Sequence, residues 1–225
     1  QSKKSLVPLT GHTNDYWTVE DWYDDIAQSE LYTDMQVSKI DIGLPGSGNA
    51  TFSVDFVGLD RSVGGTQILI TPTAETTTPV LSAVNGALLV NDASVANLTG
   101  ISLSLDGSTT SLGAVVGSNI APDNQRGRVM VSGQFTAYFQ DGVIPGLFDA
   151  TNTVTSLIVV LAADTTATSK FIGFTISALK LSSDNPDDGE KGIIRTYSFT
   201  GEINSAGGAA LANDETIISI QDSDA

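Results

Sequence analysis

Bond-making chemistry needs titratable or nucleophilic groups held on a rigid scaffold. In this chain such groups are few. His12 is the single histidine. It falls in a polar N-terminal stretch that predicts an extended arm, whereas a Ser-His-Asp relay needs its imidazole on packed structure. The chain has no cysteine, which excludes a thiolate nucleophile, a thiolate metal site and a disulfide framework. No glycine-rich loop is followed by the Lys-Ser/Thr pair that cradles phosphates. Asp184, Asp187, Asp188 and Glu190 suggest calcium. However, Pro186 occupies the third position of an EF-hand frame, and Arg195 stands where the closing Glu belongs. The stretch 182–191 therefore predicts an exposed acidic turn. Glu20–Asp21 and Asp24–Asp25 are paired carboxylates of the kind glycoside hydrolysis uses. Nothing around them signals a cleft, so a polar strand face or turn is the simpler reading. Trp17, Trp22 and Tyr23 are read as core or subunit-contact aromatics before a carbohydrate-stacking surface. The sequons at Asn49 and Asn97 carry little weight in a Thr-rich chain. The expectation is a chain without a catalytic site, a metal or a cofactor.

The elements that would position side chains are strands. Residues 37–44 and 49–58 flank a Pro-Gly-Ser-Gly turn and predict one hairpin-like unit. Residues 98–105 and 128–139 predict a second pair, and 155–161, 171–181 and 193–203 continue the pattern. Side chains alternate faces along a strand. Phe52, Val54 and Phe56 thus share one face, and Thr51, Ser53 and Asp55 the other. Gln134, Thr136 and Tyr138 lie opposite Phe135, Ala137 and Phe139. Such alternation wants a core on one side and water or a polar partner on the other. Residues 16–26 fit either a capped helix or a strand, and their aromatic density favours the strand. Asn85-Gly86 predicts a tight hairpin between 81–84 and 87–90. One short helix is expected over 141–150, limited by Pro145 and Gly146. Residues 59–78 and 106–125 read as long loops, a class that is usually functional or partner-bound.

Composition narrows the function. The 225 residues suffice for a real core, with 40% hydrophobic residues and 22 glycines. Charge is lopsided, with 26 acidic residues against 10 basic and a net of −16. That balance disfavours holding nucleic acid through phosphate contacts and disfavours anionic membranes. No apolar run approaches the length that spans a bilayer.

Along the chain run TVEDWYDDIAQSELYTD, VSKIDIGLPGSGNATFSVDFVGLD, TTPVLSAVNGALLV, LTGISLSLDGS, AVVGSNIAPDNQRGRVMVSGQFTAYFQDG with the following PGLFDA, and ETIISIQDS. Together these segments resemble the tail tube proteins of long-tailed bacteriophages. Their order from about Asp15 onward carries the resemblance more than any one of them. It implies an all-β sandwich or barrel-like fold with one short flanking helix. Inner sheets would join into a continuous barrel in a hexameric ring, and the rings would stack into a tube. It implies an arm over 1–14 and one β domain over 15–225, and the family's chains usually carry further residues upstream. It implies a virion protein assembled in the bacterial host cytoplasm. Its partners would be copies of itself, a tape-measure protein and the tail-terminator and tip proteins. DNA would transit without specific binding. The resemblance leans towards a non-contractile tail. On this reading Asp41 and Asp55 line the lumen, and Ser108, Asn119, Gln125 and Thr76, on the long loops, meet neighbouring subunits. The rival readings are an extracellular carbohydrate-binding or adhesin β-sandwich, a capsid decoration or other phage structural protein, and an enzyme such as a β-sandwich hydrolase, which the poverty of catalytic residues disfavours most.

Overall fold

The computed structural model describes residues 4–6, 14–71, 73–75, 77, 79–95, 97–118, 120–139, 143–149, 155–166, 168–189, 192–203 and 216–223. Fifteen strands and one short helix follow in chain order among them. The strands are β1 (Lys4–Leu6), β2 (Trp17–Tyr23), β3 (Gln28–Pro45), β4 (Thr51–Val57), β5 (Asp60–Gly64), β6 (Ala87–Val90), β7 (Ala93–Ser94), β8 (Leu98–Asp106), β9 (Thr110–Ser111), β10 (Asn124–Gln125), β11 (Met130–Tyr138), β12 (Thr155–Ala162), β13 (Phe171–Gly189), β14 (Gly192–Gly201) and β15 (Ser219–Asp222). The helix, α1 (Val143–Asp149), lies between β11 and β12 and packs on β13. Pro145 sits in its first turn, where its missing N–H costs nothing.

Pairing is antiparallel throughout. The main path runs β2-β3-β8-β11-β14-β13-β12-β6-β7, with β4 and β5 beside β3, β15 beside β13, and β1 beside β15. Strands β9 and β10 form a separate two-stranded ribbon. Two strands are far longer than the rest. β3 has 18 residues and β13 has 19, and each serves two partnerships. Residues 28–33 of β3 pair with β2 and β5, and residues 36–45 with β4 or β8. The first half of β13 pairs with β12 and β15, and its second half with β14.

The two layers that result close on one core. Ile42, Leu44, Ile101, Leu103, Val131, Phe135, Tyr197 and Phe199 come from the first layer. Leu88, Val90, Leu157, Val159, Leu161, Phe174 and Ile176 come from the second. Phe135 stacks on Tyr197 at 5.2 Å between ring centres and tilts against Phe199 at 6.4 Å. Gly133 makes this possible, because a β-carbon there would lie 2.2 Å from the Ser102 carbonyl oxygen and 2.6 Å from the Phe199 ring.

Some expectations change. Asn85-Gly86 does not close a hairpin: Ala83–Asn85 is a 3-10 turn, and β6 pairs instead with β12 and β7. Asn85 spends its amide on Ser82 Oγ and the Ala163 carbonyl, and this tertiary bond outweighs the local turn preference. The acidic stretch 182–189 is strand, not turn, laddered on β14 through Gly189. Pro186 is tolerated because that part of β13 is an edge. Asp184 is mostly buried and takes a hydrogen bond from Arg195 Nη1 at 2.5 Å, and the Arg195 guanidinium lies 4.3 Å over Phe139. Part of the expected loop 59–78 is strand β5, and part of 106–125 is the β9–β10 ribbon.

Gly133→Ala should destabilise the fold by about 1–3 kcal/mol, the usual range for overpacking a full core. A denaturant melt that leaves the midpoint unmoved would show that Phe199 and β8 can give way.

Candidate functional site

The feature that gathers the predicted residues is the outer face of the first layer. Residues directly opposite in an antiparallel pair share a face, so the register lays out rows across β4, β3, β8, β11, β14 and β13. One row is Asp55, Lys39, Asp106 and Met130. The next is Ser53, Asp41, Ser104, Ser132, Thr200 and Lys180. The third is Thr51, Gly43, Ser102, Gln134, Ser198 and Ser183. A fourth joins Thr136, Thr196 and Asn185, with Thr136 and Thr196 hydroxyls 3.1 Å apart. The reverse face of the same strands carries the core. Asp41 and Asp55, named above from the resemblance, lie together on a surface rich in hydroxyls.

Both lysines on this face are paired. Lys39 Nζ lies 2.7 Å from Asp41 Oδ2, and Lys180 Nζ lies 3.2 Å from Glu202 Oε1. Hydrogen bonding from Lys39, then from Ser104, holds the Asp41 carboxyl below its ordinary range. The bond to Asp41, and the charges of Asp41, Asp55 and Asp106, hold Lys39 above the ordinary lysine value. The ammonium is thus faced by carboxylates from three adjacent strands, so it is poorly placed to meet an outside anion.

The polar face ends in two free edges. Among the described residues β4 pairs with β3 alone, and residues 181–189 of β13 pair with β14 alone. At the β4 edge the apolar side is uncovered, with Phe52 66% and Phe56 37% exposed. The alternation expected a core there, but no second-layer strand reaches this far.

Beyond the polar face, residues 28–33 of β3 carry β2 and β5 as a three-stranded ribbon. Its aromatics are not core: Trp17 is 56% and Tyr23 is 40% exposed. Glu20 accepts Ser29 Oγ at 2.5 Å, and the amides of Ile68 at 2.8 Å and Leu69 at 2.6 Å. The Ser29 bond, then these amides, hold its carboxyl below the ordinary range against the desolvation that opposes them. Glu20 is therefore a peg that ties the loop after β5 to β2, a role no spacing rule signals. Arg61 pairs with Glu30, to which Tyr32 also donates at 2.8 Å.

The loop candidates lie apart from the face centre. Ser108 is half-buried at the root of the β9–β10 ribbon, with a left-handed backbone at φ 48° and its N–H on Asp106 Oδ1 at 2.7 Å. Gln125 is exposed on β10, opposite Thr110. Thr76, Asn119 and His12 lie outside the described residues. Among the described residues no group of three His, Cys, Asp or Glu side chains gathers as for a metal ion. No helix there is long and apolar enough to cross a membrane.

Comparison with known proteins gives one family. Its sequence model, described as phage tail tube protein, matches residues 10–201. No curated protein matches. Among solved structures, the chain is similar to one in the cryo-EM structure of the anti-feeding prophage baseplate, 6-fold symmetrised. Identity is 16%, the overlap covers 57% of this chain and 92% of that one, and the TM-score is 0.31.

Asp41→Asn should flatten the acid limb of the stability curve. A carboxyl held low contributes stability above its unfolded value and loses it as pH falls through the folded value. The partner, a lysine held high, contributes below its unfolded value and loses this as pH rises through the folded one. Melting temperatures of the two proteins should diverge at neutral pH and converge under acid. Parallel curves would show that the pair is too solvated to matter.

Proposed function

The chain belongs to the phage tail tube protein family and is a structural component of a phage tail, and from that premise we propose that it builds the wall of a DNA conduit. Six copies stand side by side in a ring. The free β4 edge of each lies beside residues 181–189 of β13 in the next. The observation that carries this is one continuous polar face bounded by two edges unpaired among the described residues. Unpaired edges are ready templates for another strand. A β4-to-β13 contact is heterologous, the kind that closes into a ring when the rotation allows. It would also cover Phe52 and Phe56. Rings then stack through the β2–β3–β5 ribbon with its exposed aromatics, and Gln125 and Ser108 stand where loops would meet a neighbouring copy.

The polar face then lines the lumen, with Asp41 and Asp55 among its residues. Duplex DNA presents one negative charge per roughly 1.7 Å of axis. Serine and threonine hydroxyls offer weak, exchangeable bonds, and lysines already held by carboxylates offer no fixed anchor. DNA would pass without being gripped, with the chemistry of ejection left to other components. Tape-measure, terminator and tip proteins would complete the tail, assembled in the host cytoplasm.

Concentrated wild-type protein viewed by negative stain should show six-fold rings or tubes, and compact single particles at every concentration would sink the reading. Phe52→Glu should abolish rings while leaving the monomer melt within a few degrees, since the side chain is mostly in solvent. Tubes of Asp55→Lys should retain a short DNA duplex in a salt-sensitive way, where wild-type tubes retain none.

A further inference from the structure

The most irregular stretch of the first layer is the joint of β3 at residues 33–38. Asp34 has φ 52°, a left-handed backbone that side chains other than Gly, Asn and Asp rarely accept. On one flank the pairing with β2 slips between Trp17 and Val19, opposite Met35 and Tyr32. On the other flank the pairing with β4 slips between Val37 and Lys39, leaving Ser38 as an extra residue. Both ladders of β3 therefore break within a few residues. Between the breaks lies Gln36, 0% exposed, with neither side-chain amide atom bonded to a protein group. A buried amide left this way forfeits the bonds it has in water.

The β9–β10 ribbon clamps this joint. Gly107 N–H donates to the Ser38 carbonyl at 2.8 Å, and Thr109 Oγ1 donates to the Val37 carbonyl at 3.3 Å. Asn124 Nδ2 reaches the Asp34 carbonyl at 3.3 Å and the Val57 carbonyl at 2.9 Å, and Val57 is the register partner of Gln36. Asn124 Oδ1 is itself buried without a partner. Three of these bonds end on residues 34–38, and Tyr16 Oη adds another to the ribbon at Asp123 Oδ1, 3.2 Å away; both sides of the contact contain amide atoms without a protein partner.

We infer that residues 34–38 are a hinge between the β2–β3–β5 ribbon and the body of the sheet, latched by the β9–β10 ribbon. Backbone outliers that persist mark places where surrounding contacts impose a conformation. Here the imposing contact is small and separable. With neither amide atom bonded to a protein group, Gln36 weakens the latched state and regains partners when the latch lifts, so the two states stay close in free energy. A change of ribbon angle as one ring lands on another is the use this serves. That use rests on the stacking reading; the hinge itself does not.

The test uses the soluble chain, so it is independent of whether tubes form. Gln36→Met keeps the volume and removes the amide. It should raise the melting temperature by about 2–4 °C and slow hydrogen exchange at the Gly107 amide. Asn124→Ala should speed exchange at that amide and across residues 28–33 and 60–64, with β11 and β12 unchanged. The inference is overturned if Gln36→Met lowers the melting temperature or leaves it unmoved, for the amide is then engaged or immaterial. It is overturned equally if Asn124→Ala loosens β11 and β12 as much as the ribbon, since the clamp is then ordinary packing.

Discussion

Everything in this molecule depends on alternation being kept in step across strands that serve more than one partner. A strand shows successive side chains to opposite faces, and a slip of one residue exchanges core for surface. Across β4, β3, β8, β11, β14 and β13 the step is kept so well that a single surface of hydroxyls and carboxylates backs a single apolar core. Where the step is lost, it is lost at bulges. The shifts around residues 33–38 separate the ribbon from the body, and the shift between Leu181 and Ser183 opens the projecting end of β13; two others lie between Thr136 and Ala137 of β11 and between Thr155 and Leu157 of β12.

The same constraint explains the charge pattern. A polar face made by alternation must accept whatever charges fall on it, and cross-strand neighbours decide whether these repel. Lys39 falls between strands bearing Asp55 and Asp106 and beside Asp41 on its own strand. One cation thus relieves repulsion among three carboxylates. At 39% exposure for its side chain, its contribution to stability is small. Its consequence lies in what the face presents to solvent. Arg195 is the contrasting case, shielded against Phe139 and Asp184 on the core side, where it fastens the long β13–β14 hairpin to the end of β11.

Sheet edges carry the other half of the design. Isolated free edges invite aggregation unless short, charged or covered. β4 is neither charged on its apolar side nor covered, and Phe52 lies mostly in water. Left unpartnered, such a strand is a liability, and an assembly that pairs it turns the liability into an interface. The Glu20 peg has the opposite effect. By binding two amides of the loop after β5, it fixes an otherwise featureless segment that displays Ile68, Leu69 and Ile70.

The amino-acid sequence determined by itself what is periodic or local: the strands around the 37–44 and 98–105 runs, the split of Asp41 and Asp55 from Phe52 and Phe56, the short helix, and the poverty of catalytic groups. Strand alternation is written residue by residue, so it can be read without neighbours. It could not say that Asn85-Gly86 would form no hairpin, because the Ala163 carbonyl that captures Asn85 lies far along the chain. Nor could it say that the acidic run through Pro186 is strand, because an edge position is defined by which strands are absent beside it. Rows of hydroxyls, a paired lysine and a buried Gln36 exist only once distant strands take a register. Register is a property of pairs, so only the tertiary structure decided these features.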